Sequence, residues 1–61
     1  MYRLIWVTDI GFAGMDDREY PTAKEAMEAV AHEVIWKQRG REWQSNRSQY
    51  GDIFYVKPVG R

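Results

Sequence analysis

The sequence predicts a small α+β fold: a three-stranded, in one variant four-stranded, mostly antiparallel sheet packed against one amphipathic helix, ordered strand, strand, helix, strand. Three observations lead there. Tyr2 to Asp9 (YRLIWVTD) is rich in β-branched and aromatic residues, Thr22 to Arg39 carries apolar residues at helical steps, and Ile53 to Val56 (IFYV) is an apolar run that Pro58 closes.

The first strand places Tyr2, Leu4, Trp6 and Thr8 on one side and Arg3, Ile5, Val7 and Asp9 on the other. Apolar residues on both sides make it a middle strand. Gly11, Gly14 and the Asp16-Asp17 pair then read as a turn or loop over residues 10 to 17, with a short strand at Arg18 to Tyr20 returning antiparallel to the first.

The helix is predicted from a start, a face and a stop. Thr22 is the N-cap and Glu25 its capping-box partner, with Pro21 just outside. Ala23, Ala26, Met27, Val30, Ala31, Val34 and Ile35 recur at three- and four-residue steps, which gathers them on one side. Gly40 offers a left-handed stop, and Lys37, Arg39 and Arg41 suit the negative end of the helix dipole.

Arg41 to Asp52 (REWQSNRSQYGD) is polar and rich in turn formers. Trp43 to Ser45 forms the extra strand of the four-stranded variant, turning at Asn46 to pair with Ile53 to Lys57. With short reversals throughout, the last strand runs antiparallel to the first.

A chain of 61 residues makes one domain, residues 1–61. One this short buries roughly 60% of the surface its unfolded form exposes. No cysteine is available for a disulfide, and the one histidine cannot build a Cys/His zinc site. Nine aromatic rings must supply the packing instead, and they are more than so small a core can hide. The sequence has neither a membrane-spanning apolar run nor a signal-peptide pattern, so a cytoplasmic, non-membrane protein is expected.

Net charge is zero but unevenly spread. Residues 1 to 33 hold seven acids and three bases, a balance of minus four, while residues 34 to 61 hold six bases and two acids, a balance of plus four. The overall positive field of a dedicated nucleic-acid binder is missing.

Asp9, Asp16 and Asp17 lack the spacing of a calcium loop, and Gly11-Phe-Ala-Gly14 matches neither the P-loop nor the dinucleotide fingerprint. Both are read as ordinary turn chemistry, so no metal and no cofactor is expected. His32 falls on the helix side opposite the apolar stripe, where a solvated or interface role suits it better than acid–base work. Without cysteine, a nucleophile elbow or paired carboxylates at a cleft, the chain is not expected to be an enzyme.

The candidate binding surface is His32, Trp36, Lys37, Arg39, Arg41, Trp43, Arg47 and Tyr50, in which cations alternate with rings. Trp36 would point away from the predicted helix stripe, either bare for a partner or covered by residues 41 to 50 through Trp43. Surplus aromatics and the charge split favour a non-enzymatic module that binds a larger host protein or complex. A homodimer is a second way to cover a sheet edge or the outer helix side. Nucleic-acid binding through Lys37 to Tyr50 ranks second, with phosphates on the cations and unpaired bases on the rings. The layout, an N-terminal strand, a capped alanine-rich helix and a closing strand in about sixty residues, resembles small phage and mobile-element accessory proteins, including inhibitors of bacterial defence systems. That resemblance is one of size and layout, and it implies a modulating role without assigning any residue to it.

Overall fold

A computed structural model describes residues 1–60. The elements follow the order β1 (Tyr2–Val7), β2 (Ala13–Tyr20), α1 (Ala23–Glu28), β3 (Trp36–Arg39), β4 (Glu42–Ser45) and β5 (Ile53–Pro58). They build a five-stranded sheet in the order β2-β1-β5-β4-β3, with every neighbouring pair antiparallel. The α+β class stands, but the sheet has five strands rather than three or four. As expected, β1 has a strand on either side and β5 runs antiparallel to it.

The predicted helix is where sequence and structure part. Its start is as read: Thr22 Oγ1 accepts from the Glu25 backbone N–H at 3.2 Å. Its length is not, because α1 ends at Glu28 after six residues with Ala29 as C-cap. Beyond that point Val30, Val34 and Ile35 are β-branched and His32 and Trp36 are rings, all residues that lose χ1 freedom in a helix. A competing pattern captures the segment. Trp36 to Ser45 forms a hairpin in which Arg39 pairs with Glu42, leaving Gly40 and Arg41 as a two-residue turn. Gly40 takes φ 63° and Arg41 does not have positive φ, the Gly-first arrangement of a type II′ turn. Gly40 is left-handed as predicted, but it reverses a strand instead of stopping a helix.

Residues 13 to 17, read as loop, belong to β2, whose pairing with β1 shifts register between Arg3 and Ile5. Asp16, Asp17 and Arg18 therefore stand against Leu4 alone, a β-bulge that absorbs the charged run. Gly14 lies opposite Trp6, and a Cβ there would fall 2.4 Å from the indole. Only glycine lets the ring lie flat across the strand.

The core lies between α1 and one face of the sheet. Leu4, Ala26, Phe54 and Val56 are its buried residues, and Tyr2, Trp6, Tyr20, Ala23, Met27, Val30, Val34, Trp36 and Trp43 pack against them. Val30 and Val34 thus face the core as predicted, though from the segment after α1. Ile35, assigned to the same stripe, is 74% exposed. No helix among the described residues is long and apolar enough to cross a membrane.

Candidate binding surface

Antiparallel register fixes which side chains share a face, because residues directly opposite each other point the same way. Leu4 pairs with Val56, Trp6 with Phe54 and Trp43 with Val56, all on the side that α1 covers. Ile5 pairs with Tyr55 and with Met15, Val7 with Ile53 and with Ala13, and Gln44 with Tyr55. These residues form the other face. None of them joins the core cluster, and Met15 is half exposed while Ile5, Val7, Ile53 and Tyr55 are only partly buried.

This open face has an apolar centre and a charged margin. Arg3 donates to Glu19 at 2.9 Å and reaches Met15 Sδ at 3.8 Å across the β2 bulge. Lys57 lies 3.8 Å from Glu42, and its ammonium sits 5.9 Å from the centre of the Tyr55 ring. Lys37 and Arg39, both exposed, extend the margin along β3. A shallow groove of about 220 Å³ opens there between Ile35, Lys37, Arg39, Gln44, Ser45 and Asn46.

The eight sequence-predicted residues do not form one surface. Strand alternation separates what the sequence interleaves: Trp36 and Trp43 turn to the covered side and pack against the core, whereas Lys37 and Arg39 point to the open face. The outward Trp36 of the predicted helix is thereby corrected, since it sits in β3 opposite Ser45. Arg41 occupies the β3–β4 turn, beyond both rings.

His32, Arg47 and Tyr50 belong to a third place, the loops over the end of β5. The His32 ring lies 4.6 Å from that of Tyr50 and 5.8 Å from that of Phe54, tilted against both. Arg47 donates to the Gly51 carbonyl at 2.7 Å, and the buried Ser48 hydroxyl accepts from the backbone N–H groups of Tyr50 and Asp52. Those bonds hold residues 46 to 52 as a defined turn. The chain does leave β4 at Asn46 and return as β5, as the four-stranded variant expects, but the Asn46 side chain serves another strand, its Oδ1 accepting from Ile35 N–H at 2.9 Å just before β3.

Asp16 is used locally. Its carboxylate accepts from the Tyr20 hydroxyl at 2.6 Å and from the Arg18 backbone N–H at 3.0 Å. The Tyr20 bond first, and the backbone bond second, hold the Asp16 carboxyl below the usual carboxylate range, and the same bond raises the Tyr20 phenol. Among the described residues no three His, Cys, Asp or Glu side chains gather closely enough to hold a metal ion.

Sequence reasoning missed Ile5, Val7, Met15, Ile53 and Tyr55 as a surface. The signal was present in the two-sided apolar pattern of the first and last strands, since one helix in so short a chain can cover only one face. Comparison with protein-family models, with curated proteins and with solved structures finds no match for this chain.

Proposed function

We propose that this chain is a non-enzymatic protein-binding module that makes its contact through the open face of the sheet. One observation carries the reading: β1 and β5 present apolar side chains on both faces, and α1 covers only one. An apolar centre of Ile5, Val7, Ile53 and Tyr55 inside a rim of Arg, Lys and Glu has the anatomy of a protein interface, in which charged residues are depleted at the middle and kept at the edge. The narrower role, a small phage or mobile-element accessory protein that occupies a surface of a larger host complex, rests on size and layout and belongs to the same proposal.

Nucleic-acid binding stays the second reading, supported by Lys37, Arg39 and Lys57 on the same face as Tyr55. It ranks lower because Trp36 and Trp43, the rings on which bases were to stack, lie on the other side. Capture from a host lysate separates the two. Immobilised wild-type chain should retain a protein that Ile5→Lys and Tyr55→Lys lose with unchanged thermal melting. Equal retention by these variants would move the contact elsewhere, and a nuclease-sensitive catch would favour the second reading.

A further inference from the structure

The register of the five strands lines up the open face in rows that cross the sheet. One row reads Lys37, Gln44, Tyr55, Ile5, Met15 from β3 to β2. The next reads Arg39, Glu42, Lys57, Arg3, Glu19, with Glu42 and Lys57 joined by their contact at 3.8 Å. In signs this second row is plus, minus, plus, plus, minus.

Turn that row over about its middle member, Lys57, and it meets its own complement. Arg39 falls on Glu19, Glu42 on Arg3, Arg3 on Glu42 and Glu19 on Arg39, and only Lys57 falls on a like charge. The operation that does this is a two-fold axis running along β5, the middle strand of the sheet. The same axis sets Tyr55 on Tyr55 and Ile53 on Ile53 at the centre, and Met15 against the aliphatic stem of Lys37. An axis across the strands would instead lay β2 on β2, where Asp16, Asp17 and Glu19 outnumber Arg18.

We infer that the open face pairs with a second copy of this chain, sheet on sheet, about a two-fold axis along β5. The inference rests on the reading of that face as a contact surface and names its occupant. Two sheets packed face to face with aligned strands stand about 10 Å apart, a gap that apolar side chains fill from both sides and that Arg and Glu can bridge at the rim. Five strands at about 4.8 Å spacing by about six residues give a face of roughly 500 Å², so the pair would bury on the order of 1,000 Å² in all. That is the lower end of specific interfaces, the size class of weak and reversible association, so a monomer is expected at high dilution. A second copy and a heterologous partner would then exclude each other on this face.

Sedimentation of the purified chain from about 1 to about 500 μM tests the pairing. The mass should rise with concentration from 7.3 kDa towards twice that value. Arg39→Glu alone sets acid on acid and Glu19→Arg alone sets base on base, so each should weaken the association about tenfold or more. Both changes in one chain should restore it, as should mixing the two single variants in equal amounts. Lys57→Gln removes the one like-charge pair and should tighten it, a check that leaves the Arg3–Glu19 bridge untouched should Glu19→Arg fail to fold. A wild type that stays at 7.3 kDa throughout overturns the inference. So does a dimer that the single variants leave unchanged or the double variant does not rescue. Lysate capture at a concentration where the chain is monomeric reads the contact surface itself, so either idea can fail without the other.

Discussion

Leu4 and Val56 face each other across β1 and β5 and are 5% and 0% exposed, while one residue along each strand Ile5 and Tyr55 also face each other and stay partly open. The strands, the pairing and the residue types are nearly the same on both sides. What differs is cover: α1 and the segment carrying Val30 and Val34 lie over one face, and no described element lies over the other. Side-chain chemistry along these two strands is thus set for burial on both faces, and folding satisfies half of it. The covered half holds the fold together. The uncovered half is the face proposed above for contact.

The largest expected effect breaks this comparison directly. Leu4→Ala should cost about 2 to 4 kcal/mol, enough to unfold much of so small a protein, whereas Ile5→Ala should cost under about 1 kcal/mol in dilute monomer. Denaturant titration of both, at low concentration, gives the two values. Similar losses would mean that the open face is already covered within one chain.

Ser45→Ala comes next. The buried Ser45 hydroxyl accepts from Phe54 N–H at 2.8 Å and donates to the Asn46 carbonyl at 2.8 Å, continuing the β4–β5 ladder past its last backbone pair. Its loss strands a buried donor and should cost about 1 to 3 kcal/mol, with faster amide exchange at Phe54, whose N–H points to β4, and little change at Tyr55, the next residue along β5. The β4 side and the β1 side of one strand would then report separately.

The smallest effect is a pH dependence at the β2 bulge. Asp16 has a folded pKa below its ordinary 3.8, so the stabilisation it gives is complete above that pH and is lost as pH falls through the folded value. Tyr20 has a folded pKa above its ordinary 10.0, so its contribution is complete below that pH and is lost as pH rises through the folded value. Tyr20→Phe should return the Asp16 carboxyl towards its ordinary titration, seen by NMR of the carboxyl carbon. An unmoved titration would put the backbone bond from Arg18 in charge.

Local chemistry was legible in the sequence and long-range competition was not. The Thr22 cap, the left-handed Gly40 and the start of the first strand depend on a few neighbouring residues and appear where the residues predict them, whereas β1 stops at Val7, short of the predicted Asp9. Val30 to Arg39 can satisfy either a helix or a strand pattern. The choice is made by β4, which offers Trp36 a partner in Ser45 and a place against the core, and a reading of the segment alone does not contain that partner. The eight residues of the predicted surface are divided between faces for the same reason. At helical spacing His32 and Trp36 share one side and lead into the basic end of the helix, but at strand spacing Trp36 and Lys37 point to opposite faces. Once the helix became a hairpin, the surface divided with it.

Both outer strands carry features that spoil them as templates for further strands. β3 is four residues long with Lys37 and Arg39 on it, and β2 is broken by a bulge holding Asp16, Asp17 and Arg18. Short, charged and bulged edges resist edge-to-edge growth, the route by which sheets extend into fibres. A face closed by a two-fold axis is used up when two copies meet. Pairing through the open face would therefore stop at a finite size, because it does not run in the direction in which sheets polymerise.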